Sequence, residues 1–118
     1  MNIVARERGE KTKVTILDVN GCLTLGIEGS RYLRETLKGL VKEGQLNVIV
    51  NLKDMSYLDS SGVGELVAGY VTLSVNGGKL VLLNVSDKLK CIITVTNLYI
   101  IFGMFSNEDD AVQSFQLK

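Results

Sequence analysis

Two β-prone runs open the chain and are joined by a short polar stretch. The runs 3–8 and 13–20 carry β-branched and other apolar residues, and the linking residues 9–12 are polar and include a glycine. This pattern is typical of a β-hairpin. Gly21 is expected to end the second strand and to open a loop over 21–26. The sequence therefore predicts an antiparallel pair at one edge of a sheet.

A helical periodicity comes next, and a buried strand follows it. From residue 28, charged residues separate four apolar positions at helical spacing, namely Leu33, Leu37, Leu40 and Val41. This spacing predicts an amphipathic helix, and Gly44 is placed to end it in a left-handed conformation. The run 46–52 is apolar on both faces, as in a central strand that is covered by helices.

The rest of the chain alternates between helices and strands. The predicted elements are a helix from about residue 61 to the Asn-Gly-Gly of 76–78, a strand at 79–83, a helix from about 86, a short strand within 98–105, and a terminal helix with a capping box at 106–109. The order is thus ββαβαβαβα. Strand–helix–strand units of this length have right-handed crossovers and parallel strands. We expect an α/β fold in a single domain, 1–118, with a small, mostly parallel mixed sheet, an antiparallel edge hairpin and four helices.

Composition narrows the possible functions. Of the 118 residues, 46% are hydrophobic, which is sufficient for one self-supporting core. Lys plus Arg and Asp plus Glu each number 13, so the formal net charge is zero. We therefore do not expect nucleic-acid binding. We also expect no membrane insertion, because the longest uncharged apolar run, 98–105, is too short to span a bilayer. The balanced charge is consistent with a monomer in the free state.

The chain contains no histidine, and this excludes several kinds of site. A Ser-His-Asp or Cys-His nucleophile cannot be built, nor can a zinc site that uses histidine. A nucleophile elbow would need a glycine two residues before Ser60, where Leu58 stands. A dinucleotide-binding loop that began at Gly62 would need a third glycine where Val67 stands. We expect no enzymatic activity, no cofactor and no metal site.

The cysteines and the N-terminus indicate a cellular location. Cys22 and Cys91 lie far apart in apolar-rich segments, and the charged N-terminus lacks the apolar stretch of a signal peptide. Two isolated cysteines without a leader are typical of reduced, partly buried thiols. We therefore expect a cytoplasmic protein.

The stretch 55–66 carries the strongest indication of function. It leads from the end of a buried parallel strand into the start of a helix. Such a junction presents backbone N–H groups and the positive end of the helix dipole at the carboxyl edge of the sheet. A hydroxyl there is expected to be exposed, and a phosphate on it would be stabilised. A plain N-capping role for Asp59, Ser60 or Ser61 also explains these residues.

The residues Tyr-Leu-Asp-Ser-Ser-Gly-Val-Gly of 57–64 resemble a known family signature. It is the Asp-Ser-Ser/Thr-Gly-hydrophobic-Gly motif of the STAS family, in its bacterial anti-sigma factor antagonist branch. The likeness includes Gly-Cys-Leu-Thr of 21–24, Asn-Gly-Gly-Lys-Leu of 76–80 and the segment 97–115. The predicted order of elements is also that of the family.

The resemblance implies a partner-switching protein. Such antagonists bind an anti-sigma factor that is itself a serine kinase, and thereby release a sigma factor. The kinase phosphorylates the serine directly after the aspartate, which is Ser60 here, and a phosphatase restores the binding-competent form. The surface that the kinase covers would include Leu58, Asp59, Ser61, Gly62 and Val63. Val63 is expected to act there mainly as a core residue that anchors the helix.

Two positions depart from the family pattern. Val85 stands where family members commonly carry a proline after the fourth strand, which implies a different local turn only. Thr24 belongs to the implied partner-binding surface but stands where family members often carry an acidic residue. A partner contact that needs a carboxylate there is therefore in doubt. Gly64 and Gly69 allow close approach of either a partner or a neighbouring helix. Alternative functions are a non-switching STAS subunit of a lipid-transport or stress-signalling complex, and a small-molecule or nucleotide binder.

Overall fold

The structure is a computed structural model that describes residues 2–23, 28–58 and 60–116. The strands are β1 (Asn2–Arg8), β2 (Val14–Leu23), β3 (Asn47–Leu58), β4 (Lys79–Leu83) and β5 (Gly103–Phe105). The helices are α1 (Glu28–Lys42), α2 (Ser60–Val75), α3 (Asp87–Val95) and α4 (Glu108–Gln116), with a 3₁₀ turn at Leu98–Ile100. The predicted order ββαβαβαβα is confirmed.

The five strands form one sheet in the order in which they occur along the chain. β1 pairs antiparallel with β2, and β2 to β5 are parallel to one another. Each parallel pair is joined through a helix, and a common right-handed crossover places α1, α2 and α3 on the same face of the sheet. The mixed sheet with an antiparallel edge hairpin is therefore as the sequence predicted.

The main core lies between the sheet and the helices α1 to α3. Val48 and Val50 of β3 point into it, and both are fully buried. Their helical partners include Leu33, Leu37, Leu66, Leu73 and Ile93. The alternation along the strand sends Ile49 to the opposite face, where it is also fully buried. β3 is thus a central strand covered on both sides.

The opposite face of the sheet is covered by α4. Its buried residues Ala111, Val112 and Phe115 pack on a smaller cluster of sheet residues, namely Val14, Ile16, Ile49, Val81 and Leu83. The helix begins at Asn107 as N-cap, because the backbone N–H of Asp110 donates to Asn107 Oδ1 at 3.1 Å. The capping box was predicted one residue earlier, from Ser106.

The second and third strands are longer than predicted. Gly21 was expected to end β2, but the strand continues to Leu23 and Gly21 adopts φ of +113°. The pairing with β3 shifts register beside Gly21, so the glycine accommodates a bulge. Because β2 continues, β3 pairs with it as far as Leu58 instead of ending near 52. The rest of the predicted loop, from Thr24, lies outside the described residues.

Two further expectations need correction. The strand predicted within 98–105 is reduced to Gly103–Phe105, because Asn97 in a left-handed conformation (φ of +61°) starts a 3₁₀ turn at Leu98–Ile100. Cys91 is a free cysteine, as expected, but it is exposed instead of partly buried. None of the helices within the described ranges is long and apolar enough to cross a membrane.

Candidate functional site

The strand-to-helix junction between β3 and α2 is the candidate functional site. β3 ends at Leu58 and α2 begins at Ser60, so Ser60 is the first residue of the helix, at the carboxyl edge of the sheet. The first N–H groups of an α-helix have no acceptor within the helix, and the dipole has its positive end there. This backbone position therefore suits a negative charge.

The predicted site residues differ in how far the structure describes them. Asp59 and Thr24 lie outside the described residues. For Leu58, Ser60 and Ser61 the described part is the backbone, which places them at the end of β3 and in the first turn of α2. Gly62 and Val63 follow in the same turn, and both are buried.

Val63 anchors the start of α2 in the main core. Its side chain is 5% exposed, and Leu66, one turn further, is 1% exposed. Burial of an aliphatic side chain of this size stabilises the fold by about 1.5–3 kcal/mol. Packing against the main core thus holds the first turn of α2 in place. This is the role that was expected for Val63 from the sequence.

The two glycines of α2 have different surroundings. A Cβ on Gly69 would lie 2.5 Å from Leu37 Cδ1, so this glycine allows α1 and α2 to pack closely. A Cβ on Gly64 would meet no atom within 4 Å, and Gly64 is exposed. Close helix packing therefore explains Gly69, whereas Gly64 leaves the helix backbone accessible one turn from Ser60.

An ion pair neutralises the only charged residue in the sequence of α2, which is Glu65. The Arg34 guanidinium of α1 donates to both Glu65 oxygens, with Nε 3.2 Å from Oε1 and Nη2 2.5 Å from Oε2. These hydrogen bonds raise the pKa of Arg34 above its ordinary value. Because the two residues are distant in sequence, no local pattern predicted this contact.

A second polar cluster lies on the α4 side of the sheet and was not predicted. We call it the polar ladder, and it consists of Arg6, Asp18, Asn51, Asn84 and Glu108. Arg6 Nη2 donates to Glu108 Oε1 at 2.6 Å and to Asp18 Oδ1 at 3.1 Å. Asn51 Nδ2 donates to the same Asp18 oxygen at 2.7 Å. Asn84 Nδ2 donates to Asn51 Oδ1 at 2.9 Å.

The polar ladder fixes α4 to the edge hairpin. Arg8 Nη1 also donates to Glu108 Oε2 at 2.8 Å, so Glu108 accepts from two arginines of β1. Hydrogen bonds, first from Arg6 and then from Arg8, lower the pKa of Glu108 from 4.5 to about 2. The Arg6 hydrogen bond likewise lowers the pKa of Asp18. Both carboxylates are thus paired with arginine, which indicates a structural role.

The comparison with protein families agrees with this architecture. The family model described as "STAS domain" matches residues 5–111, which is nearly the whole chain. The chain belongs to the STAS domain family. The family resemblance stated from the motif at 57–64 is therefore confirmed.

Several similar proteins have the names of regulatory proteins. The chain is 31% identical over 97 residues to the anti-sigma-B factor antagonist of Bacillus subtilis, covering 82% of this chain and 88% of that protein. The crystal structure of an anti-sigma factor antagonist from Mycobacterium paratuberculosis has a TM-score of 0.78 at 19% identity, covering 98% of this chain and 96% of the other. SpoIIAA of Bacillus in its phosphorylated form has a TM-score of 0.71 at 20% identity, covering 95% and 99%. These names denote regulators and not enzymes.

Within the described part of the chain, no group of three or more Cys, Asp or Glu side chains could hold a metal ion. The junction offers a helix start, an accessible glycine and an anchored first turn. Chemically, these features suit the binding of a protein surface and the acceptance of a charged group.

Proposed function

We propose that this protein is an anti-sigma factor antagonist that is switched by phosphorylation of Ser60. Unmodified, it binds an anti-sigma factor that is a serine kinase, and the bound sigma factor is released. The kinase then transfers the γ-phosphoryl group of ATP to the Ser60 oxygen, giving ADP and a phosphoserine that no longer binds. A phosphatase hydrolyses the ester and resets the cycle. The observation that carries this proposal is the position of Ser60 as the first residue of α2.

The relatives support the same reading of the site. The Bacillus subtilis relative is named for antagonism of an anti-sigma factor, and SpoIIAA is a STAS-like fold that exists in a phosphorylated form. On this basis we assign Leu58, Asp59, Ser61, Gly62, Val63 and Thr24 to the region that the kinase covers. We place the cycle in the cytoplasm.

The magnitude of the switch follows from charge. Phosphorylation adds about −1.5 to −2 charges at neutral pH. The N-terminal end of α2 stabilises this charge within the antagonist, so the fold is retained. A docked partner must desolvate the charge or match it, and an unmatched charge at an interface costs about 2–5 kcal/mol. We therefore expect binding to weaken roughly 30-fold to several thousand-fold without unfolding.

Mass spectrometry and binding measurements test the proposal together. After incubation with purified anti-sigma factor kinase and ATP, the phosphate is expected on Ser60. Ser60→Asp should weaken kinase binding at least about 30-fold and leave the melting temperature nearly unchanged, and Ser60→Ala should bind like the wild type. Ser74→Asp is the matched control, because Ser74 is exposed near the other end of α2.

Two results would contradict the switch. Phosphorylation at another residue, or none, would remove Ser60 from the mechanism. A Ser60→Asp variant that loses its fold, while Ser74→Asp keeps it, would instead assign Ser60 a capping role only.

A further inference from the structure

A groove with both basic and apolar residues lies at the carboxyl ends of β4 and β5, beside the middle of β3. It has a volume of about 570 Å³ and is open to solvent. Half-buried Met55, Val85, Met104 and Phe105 contribute its apolar walls. We call this feature the β3–β5 groove.

The groove arises from the topology. The segment after β4 leads to α3, whose Leu89 and Ile93 pack in the main core, whereas the segment after β5 leads to α4 on the opposite face. Neighbouring parallel strands whose connections leave in opposite directions create a crevice outside their carboxyl ends, and such crevices are frequent binding sites. The fold therefore keeps this space open.

The charge of the groove differs from that of the chain. Lys53 and Lys90 line it, both are exposed, and no Asp or Glu is among its described lining residues. The whole chain, in contrast, has a formal net charge of zero. Two ammonium groups beside two methionines and an aromatic ring match a carboxylate placed next to a large apolar side chain. Methionine walls adapt easily to such an apolar group.

The size of protein interfaces supplies the second argument. A specific interface buries about 800 Å² on each partner, more than the first turn of one helix can present. The β3–β5 groove and the start of α2 both lie at the carboxyl edge of the sheet, since β3 runs past the groove to Ser60. A partner of ordinary interface size that is seated on the start of α2 can therefore extend along this edge to the groove.

We propose that the anti-sigma factor kinase docks a segment with an Asp or Glu beside a large apolar side chain into the β3–β5 groove. This inference rests on the proposed function and adds a second contact to it. The apolar side chain contacts Met55 and Met104, and the carboxylate pairs with Lys53 and Lys90. The groove contact strengthens kinase binding, and phosphorylation of Ser60 controls whether the kinase binds.

Charge reversal in the groove tests the contact. Lys53→Glu/Lys90→Glu should weaken kinase binding by about tenfold or more and reduce its salt dependence, because two favourable pairs become repulsive. Lys13→Glu/Lys42→Glu makes the same change in net charge at exposed lysines outside the groove, and it should bind like the wild type. Lys90→Glu alone, on α3, should reduce kinase binding by a smaller factor. It changes no residue of β3, so a loss of binding would not reflect damage to that strand.

The outcomes separate the groove from the switch. Wild-type affinity of Lys53→Glu/Lys90→Glu, together with weak binding of Ser60→Asp, overturns the groove contact and leaves the switch intact. Equal affinity of Ser60→Asp and the wild type overturns the switch, whatever the lysines do. Failure of the kinase to bind the wild-type chain overturns both.

Cross-linking identifies what occupies the groove. A carbodiimide, which joins an amine to a carboxylate without a spacer, should link Lys53 or Lys90 to an Asp or Glu of the kinase. Links to Lys13 or Lys42 instead would overturn the proposal. Self-association of the wild-type chain that the Lys53→Glu/Lys90→Glu change abolishes would make a second copy the occupant, and would also overturn it.

Discussion

Replacement of Glu108 by glutamine tests the polar ladder through its pH dependence. Glu108 is the first residue of α4, and its carboxylate accepts hydrogen bonds from Arg6 and Arg8 of β1. These contacts join α4 to the edge hairpin, although the two elements lie near opposite ends of the given sequence. Glutamine keeps the size of the side chain but removes the charge that both arginines bind.

The expected size of the effect comes from the pKa of Glu108, which falls from 4.5 to about 2. A shift of this extent corresponds to at most about 3 kcal/mol of stability. The Glu108 side chain is 28% exposed, so water screens part of this interaction. We expect Glu108→Gln to lower the free energy of unfolding by about 1–2 kcal/mol at pH 6.

The sign of the pH dependence follows from the lowered pKa. A carboxyl with a depressed pKa contributes stability that is complete above its unfolded pKa, near 4.5, and is lost as the pH falls towards about 2. The difference between wild type and Glu108→Gln in urea unfolding should therefore be constant from pH 7 to 6 and should fall by more than half by pH 3.

The control for this experiment is Asp110→Asn. It removes a carboxylate from the same first turn of α4 but leaves the two arginine contacts of Glu108 in place. Its effect should be much smaller, and of the size expected for a helix dipole alone. A Glu108→Gln difference that does not change with pH, or that matches the Asp110→Asn value, would refute the reasoning.

Two further predictions concern helix packing and capping. Gly69→Ala should destabilise the fold by about 1–2 kcal/mol in urea unfolding, because its Cβ would overlap Leu37, whereas Gly64→Ala should stabilise it by about 0.5–1 kcal/mol. Equal effects of the two changes would contradict the assigned roles of these glycines. Asn107→Ala should cost about 1 kcal/mol in the same assay, since it removes the N-cap of α4; no loss would show that another group caps the helix.

Local sequence patterns were sufficient for much of the fold. α1 and β4 have the predicted starts, and β4 also has the predicted end, because helical spacing and a two-sided apolar run are properties of single segments. The continuations of β2 and β3 were not predictable in this way. They stabilise each other by pairing, and the polar residues Lys53 and Asp54 of β3 gave no strand signal.

In the candidate site, too, local features could be predicted from the sequence and contacts between distant elements could not. The junction at Ser60 could be predicted, because a strand, a capping motif and a helix follow one another directly in sequence. The Arg34–Glu65 pair and the polar ladder could not, since their members come from distant elements. The β3–β5 groove depends on which face α4 covers, and a linear pattern does not contain that information.

The position of α4 also bears on how the chain folds during synthesis. Of the helices in the described ranges, only α4 covers the sheet side chains beneath it, such as Ile16, Ile49 and Val81. Until α4 leaves the ribosome, a growing chain exposes this apolar surface on one face of the sheet. Translation that slows just before residue 108 should therefore favour aggregation of the nascent protein. A chaperone that binds the exposed apolar face of the sheet should prevent this aggregation.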